Sequence, residues 1–187
     1  CALVDGDAVE RGIPKLEMAL GPMTAMFRGL YVELVNVALD PDTWMMASSL
    51  EAAYRAVGAG VRAVDAVINL EVNNAFCAVR PPGHHAEQNR AMGFCLFGSV
   101  AIAANYARET YDLDRVAVVD FDVHHGNGTQ DIFWSDEDMF FGSTHQMPLY
   151  PGTGSPQERG AHDNIINVPL APMTGGAEKV SRSICLQ

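Results

Sequence analysis

Short apolar runs alternate with helical patterns along the central and later parts of the chain. Four runs have the length of strands: NAFCAV at 74–79, RVAVVDF at 115–121, MFFGST at 139–144 and NIINVPL at 164–170. Helical patterns lie between them, at about 96–110 and 129–134. Such alternation is typical of βαβ units, in which helices cover both faces of a parallel sheet. The pattern therefore predicts a three-layer α/β/α fold with a mainly parallel sheet.

Two further helical patterns precede these runs. In residues 14–40, apolar residues recur at spacings of three and four around Gly21 and Pro22, which predicts one or two amphipathic helices. From Ser48 to about Leu70, an Ala-rich stretch begins with Ser48 and Glu51 in the spacing of a capping box. No repeat or linker interrupts the chain, so we expect residues 1–187 to belong to a single domain.

The composition narrows the class of protein. A formal charge of −11, with only 12 Lys and Arg residues, argues against nucleic acid as a partner. No apolar run is long enough to span a membrane. The four cysteines form no CxxC pair, and Cys77 and Cys95 lie in apolar stretches typical of a core, so we expect a reducing, cytoplasmic location. The oligomeric state stays open.

Two carboxylates and two histidines follow the predicted strand 115–121, in the stretch DFDVHHGNGTQ. In an extended segment Asp120, Asp122 and His124 would lie on one side, at the carboxyl end of a parallel strand, where sites form in such sheets. Carboxylate and imidazole together suit zinc or another first-row ion. The alternative is a turn in which these side chains only cap backbone groups. Two adjacent carboxylates without a cation are unfavourable, so the pattern favours a metal site.

A second histidine pair, His84 and His85, lies in the loop RPPGHHAE beyond the run 74–79. Adjacent histidines in a loop are often no more than hydrated side chains. Here a βαβ crossover would place both pairs side by side, and histidine is the usual acid or base beside a metal-activated water. Alternation directs His125 away from the metal, and loop or structural roles are favoured for His145 and His162.

Several long motifs occur in the order and spacing of a known family. RPPGHHAE, MGFCLF, VVDFDVHHGNGTQDIF, STHQMPLYPGTG and NIINVPL resemble the zinc-dependent histone deacetylase superfamily, and most of all its bacterial class II-type amidohydrolase branch. The resemblance covers roughly residues 40–172 and implies the arginase/deacetylase fold. It also implies one catalytic Zn²⁺ and a structural K⁺.

The resemblance assigns roles to the two histidine pairs. Asp122 and His124 match the first two zinc ligands, and Asp120 matches the carboxylate that orients His84. Asn127 matches the residue that supports His85, which the family mechanism makes the general base and later the general acid, while His84 gives electrostatic help. An amide at position 127 supplies no negative charge, so we expect His85 to be less basic than one backed by a carboxylate.

The resemblance also implies substrate and potassium contacts. Gly93 and Phe94 match the narrow acyl-lysine channel, and Tyr150 matches its opposite aromatic wall, although plain loop packing is an alternative for Tyr150. Two aromatic faces can grip an aliphatic stem and exclude bulkier chains. The residues that match the potassium site are Asp120, Asp122, His124, Ser143 and Thr144. His124 and Thr144 are included because backbone carbonyl groups near them would bind the ion.

The chain departs from the family pattern in three respects. It contains no match for the third zinc ligand, a late Asp, nor for the oxyanion-stabilising Tyr of a Gly-Gly-Tyr stretch, and residues 1–38 lack the usual opening segment. A catalytic zinc normally has three protein ligands. We therefore expect the 187-residue chain to be part of a longer protein and, by itself, to bind zinc poorly and to have little activity.

Three functions are compatible with these features. The first is an amidohydrolase that removes acetyl or other acyl groups from acyl-lysine or a similar acylated primary amine. The second is an acetylpolyamine amidohydrolase, for which the expected insertion and acidic rim are not evident. The third is a non-catalytic module that binds an acyl-amine or a metal, which the missing ligand and Tyr make plausible.

Overall fold

A computed structural model describes residues 37–175 of the chain. They form five strands and three helices, in the order β1 (Val37–Asp40), β2 (Thr43–Met45), α1 (Ser49–Ile68), α2 (Ser99–Tyr111), β3 (Val116–Asp120), α3 (Asn127–Phe133), β4 (Met139–Gln146) and β5 (Ile165–Leu170). None of these helices is long and apolar enough to cross a membrane.

A parallel sheet with the order β3-β4-β5 carries the polar motifs at one edge. In its register Asp120 at the end of β3 lies beside Ser143 of β4, and Ser143 lies beside Asn167 of β5. The strands predicted at 115–121, 139–144 and 164–170 and the parallel arrangement are confirmed. Because all three strands run the same way, the residues that follow β3 lie beside the later half of β4.

Two apolar clusters hold the helices to each other and to the sheet. The first joins α1, α2 and the segment 91–97, and includes Leu50, Val57, Phe97 and Tyr106. The second joins α2 and α3 to the sheet; its members are Ala101, Ala104, Phe133, Met139, Phe141 and Ile165. The helix predicted at 96–110 therefore exists as α2, and the short one predicted at 129–134 exists as α3.

A side-chain amide ties the connection after α3 to the start of β5. The Nδ2 group of Asn164 lies 2.8 Å from the carbonyl oxygen of Phe133, 3.1 Å from that of Asp136 and 2.9 Å from that of Met139. Asn164 is buried. The two hydrogens of this amide are shared among three backbone carbonyls, so one side chain bridges an irregular turn.

The strand predicted at 74–79 is wrong. These residues form no strand, and they are exposed, with Phe76 at 85% and Cys77 among the exposed residues. A strand needs a neighbour for its backbone N–H and C=O groups, and no described strand pairs with this segment. Cys77 is therefore not a core residue, whereas Cys95 is buried as expected.

The expected covering of both sheet faces is incomplete within residues 37–175. Alternate side chains of β3 and the residues after it are exposed, including Val119 at 66% and Phe121 at 77%. The described helices α2 and α3 contact β3 and β4, and the second cluster lies on the face that carries Val116 and Val118.

The first helix begins without the predicted capping box. Ser48 makes no side-chain cap hydrogen bond, and Glu51 instead pairs with Arg55 at 2.8 Å on the exposed face. The helix ends at Ile68, close to the predicted Leu70. The helices predicted in residues 14–40 lie outside the described residues up to position 36, and residues 37–40 form β1 instead.

Candidate active site

The first turn of α3 holds the loop that carries the histidine pair. The carbonyl oxygen of His84 accepts hydrogen bonds from the backbone N–H groups of Gly128, at 2.9 Å, and Thr129, at 3.3 Å. A Cβ atom at position 128 would overlap the carbonyl group of Ala86. Glycine is therefore required at position 128 for this close approach of helix and loop.

His84 pairs with the carboxylate at the end of β3. Its Nδ1–H donates to Oδ2 of Asp120 at 2.8 Å, and both side chains are largely buried. Burial lowers the pKa of His84, but the hydrogen bond and the charge of Asp120 outweigh burial and leave this pKa raised. Burial likewise raises the pKa of Asp120, and the bond from His84 outweighs it, so this pKa is lowered. The pair favours a cationic imidazole beside a carboxylate.

His85 pairs with an amide, and a third residue fixes which way that amide points. The Nδ2 group of Asn127 donates to Oε1 of Glu87 at 2.7 Å, so its Oδ1 faces His85 Nδ1 at 2.8 Å. Nδ1 of His85 must then carry the proton, which leaves Nε2 as the unprotonated nitrogen. Burial and the neighbouring His84 lower the pKa of His85. This imidazole is suited to begin a reaction as a neutral base.

Asp122 and His124 approach each other through two successive side-chain turns. The backbone N–H of Asp122 donates to Oδ1 of Asp120 at 3.0 Å, and the N–H of His124 donates to Oδ1 of Asp122 at 2.8 Å. The backbone bends here and is not an extended strand. The alternation expected from an extended segment is therefore wrong, and these Asx turns bring the two side chains together instead.

These two side chains fit a shared metal ion. Nδ1 of His124 lies 3.3 Å from Oδ1 of Asp122, and two ligands of a tetrahedral zinc, each about 2.0–2.1 Å from the ion, lie about 3.3 Å apart. Within residues 37–175, no group of three or more His, Cys, Asp or Glu side chains is arranged to hold a metal. The described residues thus offer two candidate ligands side by side, fewer than the three protein ligands that a catalytic zinc normally has.

The aromatic rings of the site gather around His85. Its ring centroid lies 4.0 Å from that of His84, 5.9 Å from that of His124 and 5.1 Å from that of Tyr150. Tyr150 also meets His124 edge to face at 6.1 Å. Burial, followed by the charges of two acidic side chains of the β1–β2 turn, raises the pKa of Tyr150 to about 12. The structure therefore brings Tyr150 against both histidines.

Gly93 and Phe94 lie on another side of His85. Both have a left-handed backbone, with φ angles of 58° and 64°. A Cβ atom at position 93 would overlap the His85 ring, while the Phe94 side chain is 63% exposed. Gly93 thus packs directly on the candidate base, and Phe94 projects its ring toward solvent.

Two of the residues expected to bind potassium use their side-chain oxygens in other contacts. Asp120 uses Oδ1 for the N–H of Asp122 and Oδ2 for His84, and the hydroxyl of Ser143 donates to Nδ1 of His145 at 2.9 Å. Asp120 and Ser143 are neighbours across β3 and β4. The potassium assignment, including Thr144, stays a prediction.

The remaining histidines have structural surroundings. His125 makes hydrogen bonds to Thr153 at 2.8 Å and to Gln130 at 3.1 Å, and its ring lies 4.7 Å from that of His145. Burial and the neighbouring His145 lower the pKa of His125 to about 4, so His125 is neutral at pH 7. These contacts hold His125 without the strand alternation that was expected to direct it away from the metal, and His162 is exposed.

Three residues at the site were not singled out from the sequence. Glu87 lies in the motif RPPGHHAE and orients Asn127, and its position after the histidine pair was the available signal. Asp42 and Thr43 accept hydrogen bonds from the N–H groups of Gly93 and Phe94. These two precede their partners by 51 residues, and no spacing in the sequence indicates such a contact.

Comparison with known proteins agrees with this arrangement. The family model described as "Histone deacetylase domain" matches residues 13–183. The chain belongs to the histone deacetylase family. Over 140 residues this chain is 44% identical to a probable deacetylase of Archaeoglobus fulgidus. That alignment covers 73% of this chain and 39% of the relative. Over 150 residues it is 45% identical to histone deacetylase 14, chloroplastic, of Arabidopsis thaliana. That alignment covers 76% of this chain and 36% of the Arabidopsis protein.

A solved deacetylase-like structure has the same fold. The crystal structure of acetylpolyamine aminohydrolase from Burkholderia pseudomallei superposes with a TM-score of 0.72 and 34% identity, over 78% of this chain and 44% of that one. The α/β fold expected from the sequence resemblance is thus confirmed. The chain spans less than half the length of the relatives described above, and one of them is named chloroplastic, so the cytoplasmic location stays a prediction.

Proposed function

We propose that this chain carries the acid–base half of a zinc-dependent amidohydrolase that removes acetyl or other acyl groups from acylated primary amines, acyl-lysine above all. The observation that supports this proposal is a neutral imidazole, His85, whose ring packs close to the Asp122 and His124 pair. Membership of the histone deacetylase family supports the same reaction class.

Asp122 and His124 would hold the zinc ion, together with a ligand from outside residues 37–175. Zinc when bound supplies Lewis acidity, which makes an amide carbonyl more electrophilic and a water molecule more acidic. A K⁺ ion near Asp120 and Ser143 belongs to the same proposal as a structural ion. Acylated lysine peptides or acylated amines are the proposed partners.

His85 would move the proton. Its Nε2 is unprotonated because Asn127 accepts the Nδ1 proton, so Nε2 can accept a proton from the attacking water. The same nitrogen can then deliver that proton to the leaving amine, which departs as a free amine with acetate as the second product. His84, paired with Asp120, is suited to stay cationic and to stabilise negative charge nearby.

Gly93, Phe94 and Tyr150 would bind the substrate stem. Tyr150 meets both His85 and His124 edge to face, and Phe94 presents an exposed ring from the segment that packs on His85. Aromatic faces bind aliphatic chains and contribute apolar area without a charge. The chemistry of these walls therefore suits a methylene stem that ends in an amide.

Replacement of His85 by Ala tests the assignment of the base. In the complete protein we expect kcat for an acetyl-lysine peptide to fall by about 10²–10⁴ with little change in KM, because general-base catalysis contributes on that order. His84→Ala is the matched control, and we expect a smaller loss of kcat from it. Unchanged kcat in His85→Ala, with parental stability, would refute the role of His85.

A polyamine substrate is the second candidate, supported by the similarity to a structure named acetylpolyamine aminohydrolase and by the net charge of −11. An acidic protein attracts cationic ligands in general. Comparing kcat/KM for an acetyl-lysine peptide with that for an acetylated polyamine separates the two substrates. If the zinc-loaded complete protein binds both compounds but releases acetate from neither, the non-catalytic module is the correct function.

A further inference from the structure

The turn between β1 and β2 is bound to the segment that carries Gly93 and Phe94. Oδ2 of Asp40 accepts from Arg90 at 2.6 Å, and Oδ1 of Asp42 accepts from the N–H of Gly93 at 3.2 Å. Oγ1 of Thr43 accepts from the N–H of Phe94 at 3.0 Å. The turn thus contacts this segment at three points over five residues.

Phe94 needs such support because its backbone is unfavourable by itself. Its φ of 64° is left-handed, a conformation that side chains other than glycine, asparagine and aspartate rarely adopt. Its ring is 63% exposed, so packing of that ring does little to hold the backbone. The turn bond from the N–H of Cys95 to the carbonyl of Met92, at 2.9 Å, closes this turn, and the hydrogen bond to Thr43 is a second restraint on the direction of the Phe94 side chain.

Thr43 is itself fixed in one orientation. It is only 1% exposed, and its hydroxyl donates to Oδ1 of Asp42 at 2.9 Å. Because the hydroxyl proton points to Asp42, a lone pair of Oγ1 faces the N–H of Phe94. The pair Asp42 and Thr43 therefore presents two acceptors to two consecutive N–H groups of left-handed residues.

We propose that Thr43 is a positioning residue for substrate binding, because its hydroxyl helps to hold the left-handed Phe94 backbone and so to orient the aromatic wall of the substrate channel. The proposal rests on the proposed function for the identity of that wall. Thr43 itself contacts Phe94 through the backbone, and its effect on the substrate passes through the Phe94 ring.

Thr43→Val tests this role, since valine has the same shape and lacks the acceptor, and Thr43→Ser is the matched control that keeps the hydroxyl. In the complete protein we expect Thr43→Val to raise KM for an acetyl-lysine peptide roughly three- to tenfold, the effect of one lost hydrogen bond, with kcat within about twofold. Thr43→Ser should retain the parental KM. In a Phe94→Ala background, Thr43→Val should raise KM no further.

A merely structural role predicts a different pattern. An equal rise in KM in Thr43→Ser would overturn the proposal. So would a rise in KM from Thr43→Val that is just as large in the Phe94→Ala background. Hydrogen exchange at the Phe94 amide tests the restraint without any substrate: we expect faster exchange in Thr43→Val than in Thr43→Ser. Equal exchange in the two variants overturns the proposal even if the complete protein hydrolyses no acyl-amine, whereas absence of hydrolysis alone refutes only the proposed function.

Discussion

A single amide decides the proton state of the candidate base. Asn127 donates to Glu87 and accepts from His85, so its orientation leaves Nε2 of His85 unprotonated. From the sequence, Asn127 could be matched to a supporting position, and its missing charge indicated a weakly basic His85. The role of Glu87 could not be predicted, because it depends on which way an amide points in the folded chain.

Gly93 is the position where the smallest substitution should disturb the site. Gly93→Ala adds a Cβ that would overlap the His85 ring, at a φ of 58°. We expect it to lower kcat/KM by at least about tenfold and to reduce the free energy of unfolding by more than the ~1–2 kcal/mol that a left-handed Ala loses alone. Urea unfolding and steady-state kinetics measure the two effects.

Gly152→Ala is the matched control for that substitution. Gly152 also has a positive φ, 92°, but an added Cβ there would meet no atom within 4 Å. Gly152→Ala should therefore lose only the ~1–2 kcal/mol of unfolding free energy that a left-handed Ala loses alone. Equal losses in the two variants would show that overlap with His85 is unimportant.

Cys95 should be unreactive in the folded protein. It is fully buried, it donates to the carbonyl of Gly93, and burial raises its pKa to about 11. Alkylation by iodoacetamide near pH 7.5 needs the thiolate, so we expect Cys95 to be modified only after unfolding and the exposed Cys77 to react before Cys95. Peptide mass spectrometry after a short labelling pulse measures this order, and rapid labelling of Cys95 in the native protein would contradict it.

At the level of secondary structure, the sequence is informative where each element buries its own apolar face. The runs at 115–121, 139–144 and 164–170 become β3, β4 and β5 because these three segments hydrogen-bond to one another in a sheet. The run at 74–79 has the same local composition and forms no strand, since pairing depends on a neighbour and not on the run itself. The turn after β3 escaped prediction for a similar reason: Asp120 and Asp122 bond to the backbone two residues ahead.

The connection between α3 and β5 depends on Asn164. Its Nδ2 group is the shared donor to three carbonyl groups, so Asn164→Ala should lower the free energy of unfolding by about 1–3 kcal/mol. Asn164→Asp should be worse, because it places a negative oxygen against those carbonyls. The exposed Asn89→Ala is the control, and urea unfolding curves give the comparison. A loss at Asn164 no larger than at Asn89 would argue against this role.

At the scale of the whole molecule, a buried polar network links α3, β5 and the loop at 153–158. Glu158 accepts hydrogen bonds from the N–H groups of Gly154 and Ser155, at 3.1 Å and 3.0 Å, and from the side chain of Gln130 at 2.6 Å. Asn167 donates to Gln130 in turn, at 2.6 Å. Burial raises the pKa of Glu158, but these bonds outweigh burial and lower it overall.

The stability of the fold should therefore fall on the acid side in part through Glu158. A carboxyl whose pKa is lower in the folded state stabilises the protein above its unfolded pKa, and that contribution is lost as the pH falls through the folded pKa. We expect Glu158→Gln to flatten the dependence of unfolding free energy on pH as the pH falls below 4.5, the ordinary pKa of a glutamate. The exposed Glu137→Gln is the control; an unchanged slope in Glu158→Gln would contradict this role.

The family could be predicted from the sequence because five long motifs stand in register, and the match over residues 13–183 confirms it. The structure brings together the pairs that the resemblance implied, His84 with Asp120, His85 with Asn127, and Asp122 with His124, while their roles stay predictions. What the motifs could not predict are contacts between distant segments, such as Thr43 with Phe94. Those depend on the three-dimensional path of the chain and leave no local pattern.

Asp122 and His124 are proposed to bind a metal ion beside His85, and anomalous X-ray scattering at the zinc absorption edge can locate that ion. For crystals of the complete protein loaded with zinc, we predict one strong peak about 2.0–2.2 Å from an Asp122 oxygen and from a His124 ring nitrogen. That peak should disappear in Asp122→Ala. A zinc peak elsewhere, with none between Asp122 and His124, would refute this metal site.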